Sequence, residues 1–182
     1  MRKLPEILSS KVIARSRLFS VESRQLRFSN GTEVDYERIP GSAVGAVLVV
    51  PLLDDDTVLL IREYAAGTHR YELACPKGRV EPGEDLPAAA NREIMEEIGY
   101  GAETLSLMRS MTVAPGYIGQ TTHVYLATKL YPHRLPGDEP EDIEVVPWRL
   151  SELERLLERD DFTEARSVAA VLLARDHLRG EG

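Results

Sequence analysis

The sequence predicts an α/β sandwich, in which short strands precede and follow a few helices. A nearly continuous apolar run at residues 43–53 is followed, after three aspartates, by a second strand-like run at residues 57–64. Residues 86–98 have helical periodicity without an internal breaker. Helical patterns return near the C-terminus. This alternation of strands and helices indicates an α/β fold.

The N-terminal residues predict a small β unit. Residues 12–28 and 34–39 resemble strands, and the Asn30-Gly31 dipeptide between them is a strong hairpin-turn signal. A unit of roughly forty residues is too small to hold a core alone. We therefore expect residues 1–41 to pack against the main domain, residues 42–182, or against a second subunit.

The main domain is expected to alternate strands and loops around one well-bounded helix. Ser151 and Glu154 form a capping-box pattern that predicts a later helix, and residues 163–178 predict another. The expected strands are 43–53, 57–64, 71–75, 104–110, 123–129 and 145–148, with loops at 54–56, 111–120 and 135–144.

The helix at residues 86–98 has clear start and stop signals. Asp85 is suited to cap its first turn, Pro87 falls where proline is tolerated, and Gly99 is suited to end it. The sequence therefore predicts one short helix of about thirteen residues, at 1.5 Å each.

Three glutamates share one side of this helix. At roughly 100° per residue, they project away from its apolar residues, which must pack on the domain. We therefore expect the carboxylates to face outward together and to gather a cation, because like charges repel. Hard oxygen donors suit Mg²⁺ or Mn²⁺. A solvated acidic face is the plain alternative. The glutamates are Glu93, Glu96 and Glu97, and the apolar residues are Ile94, Met95 and Ile98.

The residues around this helix resemble the Nudix hydrolase box. The pattern begins at Gly78, passes through Glu84 and continues at residues 92–100, which read REIMEEIGY. Only Tyr100 departs from it, because the family usually has an aliphatic residue there. The resemblance implies a Nudix-type α/β/α sandwich with a mixed sheet. It also implies a loop, helix and loop that bind divalent metal and a diphosphate.

The same resemblance implies roles for individual residues. Two or more Mg²⁺ or Mn²⁺ ions are expected in the site. Glu84 and Arg92 correspond to a supporting pair, since a guanidinium can hold carboxylates in a fixed orientation. The implied metal ligands are Glu93, Glu96, Glu97 and the main-chain carbonyl of Lys77, which precedes Gly78.

Stretches outside the box resemble the branch of this family that hydrolyses ADP compounds, over nearly the whole chain. They include IREYAAGT from Ile61, GDEPE from Gly137 and FTEARSVAA from Phe162. The implied reaction cleaves the diphosphate linkage of ADP-ribose, diadenosine polyphosphates or NADH and releases AMP. Pro115, sixteen residues after Gly99, resembles the ADP-ribose-cleaving branch, although an ordinary loop proline is an equal alternative.

The acidic loop at residues 135–144 supplies further candidates. By the resemblance, Glu139 is the first choice for the general base and Glu141 is a further metal ligand. Glu93 or Glu97 is the alternative base, as in other branches of the family. A second alternative is that these loop acids only keep the surface hydrophilic.

Three residues are candidates for binding the nucleotide. Tyr36 corresponds to an aromatic residue that, in the related branch, often reaches across a dimer and stacks on adenine. Arg38 and Arg62 carry forked donors that suit phosphate or ribose oxygens. Each arginine is equally consistent with a surface ion pair.

Composition limits the other function classes. A formal net charge of -8 and a pI near 5.1 argue against nonspecific nucleic-acid binding. The single cysteine, Cys75, fits a reducing compartment. No leader or membrane-spanning run is evident, so a cytoplasmic protein is expected. The undersized N-terminal unit and the family resemblance imply a homodimer, and the resemblance implies a small nucleotide as substrate. The alternatives are a nucleotide sensor that does not hydrolyse its ligand and a pyrophosphatase for another nucleoside diphosphate derivative.

Overall fold

The computed structural model describes residues 2–42 and 44–180, which divide into two units. Residues 2–42 and 112–121 belong to the first unit, and residues 44–111 and 122–180 belong to the second. The sequence had placed residues 112–121 in the main domain. They belong to the first unit because part of this segment pairs with one of its strands.

The first unit is a four-stranded sheet in the order β1-β2-β3-β9. The strands are β1 (Glu6–Arg15), β2 (Ser20–Arg27), β3 (Glu33–Pro40) and β9 (Ile118–Gly119). Strands β1, β2 and β3 pair antiparallel, whereas β9 runs parallel to β3. The sheet is therefore completed by a segment distant in sequence.

Two expectations for this unit were wrong. Residues 12–28 are not one strand, because the chain reverses where the Ser16 amide donates to the Phe19 carbonyl over 2.7 Å. Residues 111–120 are not entirely loop, since they contain the end of β8 and all of β9. The turn at Asn30-Gly31 is confirmed, with Gly31 at φ +85°.

The second unit carries two sheets, in the orders β7-β4-β10-β8 and β11-β5-β6. Strand β4 pairs antiparallel with β7 and parallel with β10, so the predicted mixed sheet is confirmed. The elements are β4 (Ala46–Pro51), β5 (Thr57–Ala65), β6 (Arg70–Ala74), β7 (Lys77–Arg79), α1 (Leu86–Glu97), β8 (Tyr100–Thr112), β10 (Thr121–Pro132), β11 (Glu144–Arg149), α2 (Leu153–Leu157) and α3 (Ala165–Gly180).

Strand β4 divides the core of this unit into two layers. Val47 and Val49 pack with Ile94 of α1 on one face. Leu48 and Val50 pack on the other face, in a cluster with residues of α2 and α3. Successive side chains of a strand point to opposite faces, which explains why all of β4 is buried. This arrangement is the predicted α/β/α sandwich.

Helix α1 forms as its sequence predicts. The Asp85 side chain accepts a hydrogen bond from the Ala88 amide over 2.8 Å, Pro87 lies in the first turn, and Gly99 adopts φ +75° just beyond the end. The predicted turn at residues 54–56 is also confirmed, since the Asp54 side chain accepts from the amides of Asp56 and Thr57.

The capping box predicted at Ser151 is wrong. The Ser151 amide and hydroxyl both donate to the Asp56 carboxylate over 2.7 Å, so they do not cap a helix. A 3₁₀ turn at Leu150–Glu152 precedes α2 instead. Among the helices of the described residues, none combines the length and apolar character needed to cross a membrane.

Helix α2 offers a test of the core packing. Leu153 is fully buried, whereas Leu157 on the same helix is exposed. Replacing Leu153 by Ala should lower the free energy of unfolding by about 2–5 kcal/mol, because the lost methyl groups leave a cavity. Leu157→Ala, the matched control, should cost about 1 kcal/mol or less. Urea unfolding of both variants measures the difference, and equal losses would contradict this packing.

Candidate active site

Glu97, near the C-terminal end of α1, is the most deeply buried acid of the box. Its exposed fraction is 2%, and its Oε2 accepts a hydrogen bond from the Lys77 amide over 2.9 Å. Burial raises the pKa of Glu97 well above its ordinary value, although the charge of Lys77 opposes this rise. The segment before α1 therefore holds Glu97 against the sheet.

Glu93 lies one turn earlier and is 8% exposed. A Cβ atom on Gly78 would lie 2.0 Å from the Glu93 carboxylate, so only glycine leaves room for this side chain. Burial raises the pKa of Glu93 to about 7, and Arg92 opposes the shift. Gly78 and Glu93 thus form a close contact between β7 and α1.

The expectation that all three acids face outward is wrong for Glu93 and Glu97, while Glu96 is half-buried. The three acids do share one side of the helix, as the helical spacing predicts. However, the apolar residues do not cover the whole contact with the sheet. The acid side also turns toward Lys77 and Gly78, which removes two of its carboxylates from solvent.

Arg92 connects the acids around α1. Its Nε and Nη2 donate to the two carboxylate oxygens of Glu84 over 3.0 and 3.1 Å. Its Nη1 donates to Glu93 over 2.8 Å and to Glu96 over 2.9 Å. These contacts, led by the hydrogen bonds with Glu84, raise the pKa of Arg92. Arg92 and Glu84 are thus paired in the structure, as the resemblance implies.

The sequence analysis missed Glu63 as a site residue. The Nζ of Lys77 lies 2.9 Å from Glu63 Oε2, and the charge of Glu63 contributes to the raised pKa of Glu97. Strand alternation could have identified Glu63. Leu59 and Ile61 on β5 face the α1 side of the core, and Glu63 is the next residue on the same face of the strand.

The acidic loop brings Glu139 to the same group of carboxylates. Glu139 and Glu96 line a polar cavity of about 200 Å³, together with Arg134 and Gly137. The charge of Glu139 also contributes to the raised pKa of Glu93. Glu139 therefore belongs to the acid cluster, which we define as Glu63, Glu93, Glu96, Glu97 and Glu139.

Glu141 has a different environment from Glu139. Its Oε1 accepts a hydrogen bond from the Tyr71 hydroxyl over 2.6 Å. This bond raises the pKa of Tyr71. Glu141 also lines the polar cavity of Glu96, so the loop presents two acids beside α1.

Arg62 is engaged by carboxylates of its own unit. Its Nε donates to Glu144 over 3.0 Å and its Nη1 donates to Asp161. Arg159 and Arg62 together hold the pKa of Asp161 well below its ordinary value, with the Arg159 hydrogen bond the larger cause. Arg62 also lines a cavity of about 180 Å³ beneath the acidic loop. Arg62 therefore forms ion pairs, which the sequence analysis gave as its alternative role.

The first unit brings together the other substrate-binding candidates. Tyr36, Arg38 and Pro115 line one cavity of about 310 Å³, although Pro115 is distant from the other two in sequence. Tyr36 is exposed, and Arg38 Nε lies 2.9 Å from Glu22 Oε2. Pairing of β3 with β9 explains this assembly.

The chemistry of the acid cluster fits divalent metal. Five carboxylates, two of them buried, have only Arg92 and Lys77 as ion-pair partners among the residues that the structure describes. Carboxylate oxygens are the donors that Mg²⁺ and Mn²⁺ prefer. Within residues 2–42 and 44–180, no three acids already converge in a ligand geometry. Arg92 donates to one carboxylate oxygen of Glu93 and to one of Glu96, so it leaves the other oxygen of each for a metal.

Comparison with known protein families agrees with this site. The NUDIX domain model matches residues 43–172, and the model of the NudE-type Nudix hydrolase N-terminal domain matches residues 5–38. The chain therefore belongs to the Nudix hydrolase family.

Individual relatives place the chain more closely within this family. It is 47% identical to the ADP compounds hydrolase NudE of Escherichia coli strain K12, over 98% of this chain and 95% of that protein. It is 27% identical to the ADP-ribose pyrophosphatase of Bacillus subtilis strain 168, over 90% and 91% of the two chains. A crystal structure of an ADP compounds hydrolase superposes with a TM-score of 0.94 at 46% identity, covering 100% of this chain and 98% of that one.

The raised pKa of Glu93 predicts how stability depends on pH in a chelator. The folded carboxyl keeps its proton up to about pH 7, whereas the ordinary value is 4.5. Between these values the folded protein binds more protons than the unfolded protein, so its free energy of unfolding falls as pH rises. Glu93→Gln removes this titration and should make the fall in the free energy of unfolding shallower between about pH 4.5 and pH 7.

Urea unfolding in EDTA at each pH measures this effect. Glu103→Gln, at an exposed position on β8, is the matched control and should keep the wild-type slope. If the free energy of unfolding had the same pH dependence in wild type and Glu93→Gln, the raised pKa of Glu93 would be contradicted.

Proposed function

We propose that this protein hydrolyses the diphosphate linkage of ADP-containing compounds and releases AMP. ADP-ribose, diadenosine polyphosphates and NADH are the proposed substrates. The acid cluster is the observation that carries the proposal, because it joins buried carboxylates of α1 to Glu139 beside a box that is complete except at Tyr100. The names of the two relatives described above support the ADP-containing substrate class.

Two or more Mg²⁺ or Mn²⁺ ions are the proposed cofactors. Glu93, Glu96, Glu97 and the carbonyl of Lys77 would hold them, with Glu141 as a further ligand. Bound divalent cations supply charge neutralisation at the diphosphate and a polarised water. In this proposal Arg92 and Glu84 orient the ligands through the hydrogen bonds that they already make.

The chain's own residues then position the reactants. Water adds to one phosphorus, the bridging P–O bond breaks, and ADP-ribose yields AMP and ribose 5-phosphate. Glu139 is the proposed base that takes the proton of the attacking water. Its place beside Glu96 and Glu93 supports this choice. The carboxylates of Glu93 and Glu97 are then reserved for ligation, and catalysis depends mainly on positioning.

Binding of the nucleotide is proposed for the cavity of the first unit. Tyr36 offers an exposed aromatic face for adenine, with Arg38 and Pro115 beside it. Arg62 is proposed to contact the substrate from the 180 Å³ cavity while it remains paired with Glu144.

A homodimer in the cytoplasm is the proposed working form. The first unit exposes apolar side chains on β1, including Ile7, Val12 and Ile13, that a second copy would cover. Cys75 is a buried free thiol, as expected in a reducing compartment.

A substrate panel tests the proposed function. The pure protein, with Mg²⁺ or Mn²⁺, should release AMP from ADP-ribose, NADH and diadenosine triphosphate, and EDTA should stop the reaction. Deoxynucleoside triphosphates and coenzyme A are the comparison compounds. Preferred cleavage of either comparison compound would overturn the substrate class, and binding of ADP-ribose without cleavage would indicate a sensor.

Glu97→Gln tests the metal-binding role of α1. The amide keeps the volume of the side chain and an oxygen for the Lys77 amide, but it removes the charge. Turnover of ADP-ribose should fall by several orders of magnitude with the fold intact, whereas Glu103→Gln should match wild type. Circular dichroism checks the fold. Equal turnover of wild type and Glu97→Gln would refute the role of Glu97.

A further inference from the structure

The loop that carries Glu139 has little regular structure to hold it. Residues 133–143 form neither helix nor strand. At one end, the Leu135 amide donates to the Met95 carbonyl over 3.1 Å. At the other end, Ile143 packs against the core cluster that contains Ile94. Glu139 lies between these two anchors, and in the part of the chain that the structure describes residues 136–142 make no backbone–backbone hydrogen bond.

Tyr71 makes such a contact with the middle of the loop. Its hydroxyl donates to Glu141, two residues from Glu139, over 2.6 Å. Tyr71 itself belongs to the regular strand β6, where it pairs across the ladder with Tyr64. The bond therefore connects a rigid element to a segment without secondary structure.

The aromatic neighbours of Tyr71 restrict its orientation. The rings of Tyr64 and Tyr71 meet edge to face, with centroids 5.9 Å apart and planes at 67°. The Tyr64 hydroxyl is in turn hydrogen bonded to His69 Nδ1 at 2.7 Å. Aromatic pairs of this geometry are stabilising. The ring of Tyr71, whose hydroxyl contacts Glu141, is thus in contact with the ring of Tyr64.

Packing holds the end of the loop at Ile143 but leaves a space beneath its middle. A cavity of about 180 Å³ lies between loop residues 139–143 and Arg62, Glu63 and Tyr64 of β5. Because this space separates the loop from the strand, the loop is not closely packed here. The hydrogen bond from Tyr71 to Glu141 is a contact between the loop and the sheet beside this space.

We propose that Tyr71 is a positioning residue, which holds the acidic loop through Glu141 so that Glu139 stays beside the carboxylates of α1. This inference rests on the proposed function and deepens it, because it assigns to a strand residue outside the box the placement of the proposed base. Glu141 then anchors the loop.

The test compares two tyrosine-to-phenylalanine variants of neighbouring strands. Tyr71→Phe removes only the hydroxyl that holds the loop, and Tyr64→Phe, the matched control, removes a hydroxyl bonded to His69. Hydrogen exchange of residues 137–143 should be faster in Tyr71→Phe alone. In the same variant, kcat on ADP-ribose should fall about three- to tenfold with KM and Tm unchanged, as loss of one hydrogen bond predicts.

A double-mutant comparison shows whether Tyr71 acts through Glu141. Glu141→Ala should lower kcat, and adding Tyr71→Phe to it should cause no further loss, because the partner is already gone. Additive losses of kcat would show that Tyr71 does not act through Glu141. Equal hydrogen exchange of residues 137–143 in the two phenylalanine variants would show that the Tyr71 hydroxyl does not hold the loop. Faster exchange with unchanged kcat would show that holding the loop does not matter for catalysis.

Failure of the proposed function has a different signature. The wild-type protein would then cleave none of the ADP compounds, which removes the catalytic part of the inference. Hydrogen exchange needs no substrate, so it would still decide whether Tyr71 holds the loop.

Discussion

The burial of two carboxylates against β7 is the constraint on which the site depends. Glu93 and Glu97 lie where β7 meets α1, and each loses hydration that an isolated carboxylate keeps. Their raised pKa values record this cost. Arg92 and the Lys77 amide offset part of it. The site therefore keeps acids in a position that favours an additional cation.

The core supports this arrangement through a short chain of hydrogen bonds behind the box. The Cys75 amide donates to the buried Ser167 hydroxyl over 2.9 Å, and that hydroxyl donates to Glu164 over 2.8 Å at the start of α3. Burial alone would raise the pKa of Glu164, but hydrogen bonds from Arg166 and Ser167 outweigh it and lower the pKa. Helix α3 thus fixes the residues that lead into Lys77 and Gly78.

Local patterns predicted the elements whose causes are local. The bounds of α1 followed from Asp85 and Gly99, and the buried strand β4 followed from an apolar run. The contacts that were not predicted from the sequence depend on partners distant in sequence. Ser151 bonds Asp56 instead of capping a helix, and β9 exists only because β3 lies beside it. The involvement of Glu63 likewise depends on the position of Lys77 in the fold.

The pairing of the site's own cations bears on how an anionic substrate is bound. Arg92 already contacts three carboxylates, Lys77 contacts Glu63, and Arg62 contacts Glu144 and Asp161. A diphosphate gains less from cations that acids already neutralise than from unpaired ones, and the net charge of -8 opposes its approach. Arg134, which lines the cavity of Glu96 and Glu139, is one source of attraction. Under the proposed function, divalent cations held by the acid cluster would be another. The buried acids of α1 would then favour a cation, and a bound cation would in turn favour the anionic substrate.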